Sequence, residues 1–182
     1  MKKAVLILIL TLSFACKNET KKEVESTIEK TETTVKNIND NIFKIEIEAK
    51  VTEDDKFDVF YVADDPNGSF SSKSMISKRV KGSKDYQRIT FELPKDILPY
   101  KLRIDLGDNG SKNLSDISIK SFNLTLNDKK IEIDNATAKA FFVPNVYMVK
   151  KDLGYGRRVI DGKYDPFLVS TALLNQKIEL EL

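Results

Sequence analysis

The 182-residue chain contains no histidine, no tryptophan and a single cysteine, Cys16. Without histidine there is no Ser-His-Asp triad, most zinc sites are excluded, and the commonest general base near neutral pH is missing. A glycine-rich phosphate loop of the P-loop type is also absent. Carboxylate pairs of the glycosidase kind remain, but most acidic residues fall at outward strand positions or in turns. These absences argue against an enzyme.

Apolar runs are short, and the longest one lies at the start of the chain. Lys2 and Lys3 precede the apolar segment AVLILILTL, and the small residue Ala15 comes directly before Cys16. This is the layout of a secretory signal peptide. Even when extended to Ala15, the segment has about a dozen residues, whereas a helix that spans a bilayer needs about 20. Residues 1–15 are therefore predicted to be a signal peptide.

The stretch LSFAC at positions 12–16 resembles a bacterial lipobox of the looser, Bacteroidota type. The resemblance implies that Cys16 becomes the mature N-terminus and carries lipid on its sulfur and its amine. It departs from the usual pattern because Ser13 stands where leucine is common, with Leu12 one place further back. Two or three acyl chains would hold the protein on a membrane, whereas a single chain binds only marginally. The alternative is an ordinary signal peptide followed by a free cysteine.

Removal of the signal peptide changes the charge of the chain. The whole sequence has 30 basic and 28 acidic residues, and residues 1–15 contain two lysines and no acid. The mature chain is therefore formally neutral, which gives no argument for binding nucleic acid. With Cys16 acylated, no thiol remains for a disulfide, for thiolate catalysis or for a metal.

Residues 16–41 are predicted to form a charged tether between the anchor and the fold. Residues 17–41 lack glycine, proline and aromatic side chains, and such a segment cannot bury a core of its own. The start Lys17-Asn18-Glu19 is compatible with sorting to the outer membrane, facing the periplasm or the cell surface. A partly helical spacer and an oligomerising stalk both fit the segment, because one stripe has coiled-coil spacing. The stripe is Val24, Ile28, Thr31, Val35, Ile38 and Ile42.

From residue 42 onward the sequence alternates with the period of two that is typical of β-strands. FKIEIEAKV is the clearest case, and FDVFYV, SMISKRVKG, YQRITFELP, YKLRIDLG, KKIEIDN and the C-terminal IELEL follow the same pattern. In DISIKSFNLTLN the phase slips by one residue near Lys120 and Ser121, which predicts a β-bulge. Helical turns are expected only at TAKAFF and DPFLVSTALL. Residues 42–182 are therefore predicted to form one all-β domain, a single antiparallel β-sandwich.

The stretch YKLRIDLGDNGSKNLSDISIKSFNLTLN (residues 100–127) resembles the central hairpin of galactose-binding-like jelly rolls. The shared features are a strand with Leu-Arg-Ile-Asp, a polar Gly-Asn turn and an Ile-x-Ile-x-x-Phe strand. Such jelly rolls occur as carbohydrate-binding and accessory modules of bacterial surface proteins. The resemblance implies a jelly-roll topology with ligands at the loops of one end or on the concave sheet face.

Residues 141–167 depart most from simple strands and concentrate Phe, Tyr, Arg and Gly in irregular connections. Exposed loop aromatics beside arginines suit contact with a sugar or a peptide. Tyr155, Arg157, Arg158 and Tyr164 are therefore the candidate ligand-binding residues. Core packing is the alternative, and the lack of tryptophan, the usual platform for stacking sugars, counts against a glycan site.

The turn DDPNG offers oxygen ligands of the kind that Ca²⁺ prefers, from Asp64, Asp65 and Asn67. Its spacing matches no EF-hand loop, and a plain turn is the alternative that its composition favours. No other metal or cofactor is expected.

The sequence thus predicts a non-catalytic, lipid-anchored module of the cell envelope that binds glycan. The alternative is a structural or assembly lipoprotein that binds an envelope protein through the tether stripe or through an exposed sheet edge.

Metabolic labelling with a fatty acid tests the anchor. The wild-type protein should incorporate label, and Cys16→Ala should not, because the acylated sulfur is removed. Equal labelling of the two proteins would rule out Cys16 as the lipidation site.

Overall fold

The computed structural model of the protein describes residues 41–108 and 112–182. The predicted signal peptide, the lipidation site Cys16 and the tether up to residue 40 lie outside these ranges, so the statements about them stay predictions. Within the described ranges, no helix is both long and apolar enough to cross a membrane.

Two antiparallel sheets pack against each other and confirm the predicted all-β sandwich. Sheet A has the order β4 (Gln87–Glu92), β1 (Phe43–Val51), β6 (Ile117–Leu126), β10 (Gly154–Arg157) and β9 (Met148–Lys151), with β7 (Lys129–Asp134) also paired to β6. Sheet B has the order β3 (Met75–Val80), β2 (Asp55–Val62), β5 (Lys101–Leu106), β11 (Phe167–Ser170) and β8 (Phe142–Pro144). The described part also includes α1 (Asn135–Phe141), which confirms the turn expected from TAKAFF, and α2 (Ala172–Glu181).

Alternation along the strands places the core between the sheets. In β1 every second residue from Phe43 to Val51 is fully buried, and the charged residues between them face outward. Val59 of β2 and Ile104 of β5 are fully buried on the facing sheet. Each sheet therefore gives one face to the core and keeps one outer face.

The predicted bulge is present in β6. The pairing of β1 with β6 shifts by one residue between Glu48 and Ala49, opposite Lys120. Ile119 before the shift and Phe122 after it are both buried, although they are an odd number of residues apart. The extra residue therefore lets both halves of a ten-residue strand face the core.

The C-terminal segment corrects one prediction, since IELEL ends helix α2 and does not form a strand. The Thr171 hydroxyl caps this helix by accepting from the backbone N–H of Leu174 at 3.3 Å. The helical period buries Leu174 and Ile178 and leaves Leu180 73% exposed. The motif IELEL fits a strand because its apolar residues recur every two positions. It fits a helix equally well, because Ile178 and Leu182 are four residues apart and therefore lie on one helical face.

Two alanine substitutions distinguish the helix from a strand. Ile178→Ala should lower the free energy of unfolding by about 2–5 kcal/mol because it opens a cavity in the core. Leu180→Ala should change it by less than about 0.5 kcal/mol, since this side chain is exposed. Urea denaturation measures both, and similar losses for the two variants would contradict the helix.

Candidate functional site

Three of the four residues predicted to bind ligand are buried, so the expectation that they are exposed on loops is wrong. Tyr155, Arg157 and Tyr164 are 5%, 6% and 2% exposed. Only Arg158 is at the surface. Tyr155 and Arg157 belong to β10, and Tyr164 lies between β10 and β11.

Arg157 forms an ion pair with Asp55, and neither side chain has any exposed surface. Its guanidinium also donates to the carbonyl oxygens of Leu106 at 2.9 Å and Ser115 at 3.0 Å. The Asn113 side-chain amide donates to the Asp55 carboxylate at 3.2 Å. The pair therefore joins β2 and β5 of sheet B to β10 of sheet A. A buried charge pair with this many partners is a structural element.

Tyr164 belongs to the same buried network. Its hydroxyl donates to the carbonyl oxygen of Asn113 at 2.5 Å. Burial raises the pKa of Tyr164 to about 12, so the phenol keeps its proton at neutral pH and remains a donor. A Cβ atom at Gly107, where φ is +147°, would lie 2.5 Å from this hydroxyl oxygen, which explains the glycine there.

Replacing Arg157 should destabilise the fold. Arg157→Ala is expected to lower the free energy of unfolding by about 3–5 kcal/mol, because the Asp55 carboxylate would stay buried without its partner. Arg158→Ala is the matched control: its guanidinium is exposed and donates to the carbonyl oxygen of Val146 at 2.8 Å. It should cost less than about 1 kcal/mol. Equal costs in urea denaturation would contradict the structural role of Arg157.

The outer face of sheet A carries a lattice of charged and polar side chains. Lys44 pairs with Glu92 at 2.7 Å, and Lys120 pairs with Glu48 at 2.8 Å. Such exposed pairs contribute little to stability. No aromatic side chain is present among the outward residues of β1, β4, β6 and β7, namely Lys44, Glu46, Glu48, Lys50, Arg88, Thr90, Glu92, Asn123, Thr125, Lys130 and Glu132.

The outer face of sheet B is different, because aromatic and charged side chains occur there together. Phe60 of β2 lies opposite Arg103 of β5, and Phe167 of β11 lies opposite Asp105 of β5. Residues directly opposite on neighbouring strands share one face. We call this set the Arg103 cluster; its members are Asp58, Phe60, Arg103, Asp105, Asp165 and Phe167.

Arg103 is the centre of the cluster. Its Cζ atom lies 3.7 Å from the ring centroid of Phe167 and 5.2 Å from that of Phe60. The guanidinium donates to both carboxylate oxygens of Asp105, at 2.6 and 2.8 Å, and to Asp165 at 2.8 Å. Bidentate pairing combined with stacking on aromatic rings is particular to arginine. These four partners fix the guanidinium in one orientation.

The carboxylates of the cluster are in unusual environments. Burial raises the pKa of Asp105, and the charges of Asp165 and Asp58 act in the same direction, although Arg103 opposes them. Burial lowers the pKa of Arg103, but its two carboxylate partners more than offset this, so the pKa is raised. Asp58 Oδ2 pairs with Lys56 Nζ at 3.0 Å. Its Oδ1 is buried and has no hydrogen-bond partner, so the cluster holds an acceptor that the described residues leave unsatisfied.

The turn at Asp64, Asp65 and Asn67 has a local structural role. The Asp65 carboxylate accepts from the backbone N–H of Asn67 at 2.9 Å, and the Asp65 carbonyl accepts from that of Gly68 at 2.8 Å. These bonds close the turn. In residues 41–108 and 112–182, no group of three or more His, Cys, Asp or Glu side chains is placed to hold a metal ion.

The Arg103 cluster is absent from the sequence-based predictions. The period of two in YKLRIDLG places Arg103 and Asp105 at outward strand positions, and alternation alone gives such positions no special role. A usable signal was the aromatic Phe60 at an outward position of FDVFYV. That signal becomes specific only once β2, β5 and β11 are known to be neighbours.

Comparison with known proteins adds no family to this description. The chain matches no family model, no curated protein and no solved structure. The antiparallel β-sandwich is thus established by the structure alone. The resemblances to Bacteroidota lipoproteins and to galactose-binding-like jelly rolls stay predictions from the sequence.

Proposed function

We propose that the protein is a non-catalytic, lipid-anchored module of the cell envelope that binds glycan on the outer face of sheet B. The observation that carries this proposal is the Arg103 cluster, in which two aromatic rings, a guanidinium and three carboxylates meet on β2, β5, β11 and the loop that leads into β11. Aromatic faces stack on sugar rings, and planar polar groups bind pairs of hydroxyls. The outer face of sheet A is mainly charged: Lys50 Nζ lies 5.9 Å from the ring centroid of Tyr86, directly before β4, but the described residues stack no arginine on a ring there.

The site is already ordered without a ligand. Arg103 is held by two rings and two carboxylates, and Asp58 is held by Lys56. A ligand therefore meets side chains whose conformational freedom is already lost, and this lowers the entropic cost of binding.

The N-terminal features support the same function. Acylation of Cys16 would fix the protein to the outer membrane, and a charged tether would give the sandwich reach from the membrane. Lack of histidine and of a thiol in the mature chain supports binding without catalysis.

Binding of an envelope protein is the second candidate function, and an exposed apolar patch on the helices favours it. Phe141 of α1 and Leu173 and Leu180 of α2 line one shallow groove. Leu173 and Leu180 are 53% and 73% exposed. Contiguous apolar surface of this kind often marks a contact with another protein.

Arginine-to-lysine variants on the two outer faces test the glycan site. Arg103→Lys keeps the charge but loses the bidentate pairing and the stacking, so glycan binding should weaken at least about tenfold. Arg88→Lys on sheet A is the matched control and should bind like the wild type. A glycan array followed by calorimetry on the best ligand measures the effect, and melting curves confirm that both variants fold.

Two outcomes would contradict this proposal. The first is equal glycan affinity in Arg103→Lys and the wild type, which would move the site elsewhere. The second is a protein that binds no glycan but cross-links to one envelope protein, with cross-linking lost in Leu173→Ser and Leu180→Ser. That result would favour the second candidate function.

A further inference from the structure

A surface pocket lies where the hairpin of β9 and β10 meets helix α1. Its volume is about 360 Å³, which suits a small ligand or one sugar unit. The pocket is formed by strands of sheet A and by α1, so it is distinct from the Arg103 cluster on sheet B. The polar residues that line it are Asn135, Lys139, Lys150, Lys151, Asp152 and Tyr155.

The pairing register of β9 with β10 determines which of these side chains lie on the same face of the hairpin. Tyr155 lies directly opposite Lys150, so the two share one face of the hairpin. Lys151 lies opposite Gly154 and pairs with Asp116 at 2.6 Å, which neutralises its charge. Lys139, in the last turn of α1, lines the same pocket.

The charge of the pocket is positive and only partly compensated. Lys139 and Lys150 make no hydrogen bond or ion pair with any residue that the structure describes. Asp152 is the acidic residue of the lining. The lining therefore holds two lysines without an ion-pair partner and one acidic residue, and an anion in the pocket would gain from both lysines.

Tyr155 provides a second and independent observation. Its side chain is almost fully buried at 5% exposure, yet its hydroxyl makes no hydrogen bond within residues 41–108 and 112–182. Burial also raises the pKa of Tyr155, which keeps the hydroxyl protonated as a donor. Among the described residues, the buried side-chain atom that lacks a partner is Asp58 Oδ1, so the unbonded Tyr155 hydroxyl reaches the open space of the pocket that this residue lines. An oxyanion there can replace water as its acceptor.

We propose that this pocket binds an oxyanion, a carboxylate, sulfate or phosphate group, through the ammonium groups of Lys139 and Lys150 and the hydroxyl of Tyr155. Acidic glycans and free inorganic anions share this chemistry. The site gives the protein a second recognition element that selects for negative charge and does not depend on the glycan site of sheet B.

Calorimetry on the mature full-length protein in detergent tests the proposal with glucuronate, inorganic phosphate and glucose as probes. Glucuronate or phosphate should bind saturably, and glucose should not. Lys139→Gln with Lys150→Gln should weaken anion binding at least tenfold. Tyr155→Phe, which keeps the ring and its packing, should weaken it several-fold at an unchanged Tm. Asp152→Asn should strengthen binding, because it removes the opposing charge.

The control is a second double variant with the same change in net charge. Lys84→Gln with Lys95→Gln removes two exposed lysines outside the pocket and should leave anion binding unchanged. Tighter binding of glucuronate than of phosphate would assign the pocket to an acidic glycan, and the reverse order would assign it to phosphate. The proposal is overturned if neither anion binds saturably, if the control double variant weakens binding equally, or if Tyr155→Phe binds like the wild type.

Discussion

The ion pair between Arg157 and Asp55 is the interaction on which one end of the sandwich depends. Its members come from different sheets and are 102 residues apart in the chain. Because a buried charge is tolerated only with a complete set of partners, the pair dictates the path of the neighbouring backbone, including the carbonyl groups of Leu106 and Ser115. The two candidate binding surfaces lie on opposite sheets that this pair helps to hold together.

Each outer face follows from the same alternation, yet the two faces have different chemistry. On sheet A, lysine and glutamate side chains form exposed ion pairs, and water can solvate the separated charges at little cost in free energy. On sheet B, Phe60 and Phe167 shield the guanidinium of Arg103 from water, and shielding strengthens its bonds to Asp105 and Asp165. The difference between the faces, more than any single residue, is the reason why the glycan site is proposed on sheet B.

Strands β1 to β7 and the bulge could be predicted from sequence because both are local patterns that span a few neighbouring residues. Strands β8 to β11 could not: they have only three or four residues each, and they lie where the sequence predicts irregular connections and a helical turn. The C-terminal helix could not be predicted, because the five residues of IELEL are compatible with both a strand and a helix. The Thr171 cap and the packing of Leu174 and Ile178 decide for the helix. Arg157 and Tyr164 were misplaced for a different reason: their partners, Asp55 and Asn113, are distant in sequence. The Arg103 cluster has the same origin, because it exists only when the order of strands in sheet B is known.

The bulge at Lys120 also has an evolutionary consequence. Loss of one residue from a strand normally turns half of its side chains to the wrong face. Lys120 has no partner of its own in the pairing of β1 with β6, so its deletion would leave every other cross-strand pair in place. Position 120 is therefore where this ten-residue strand can shorten by one residue and keep its core. Homologous chains that differ in length within β6 should differ there.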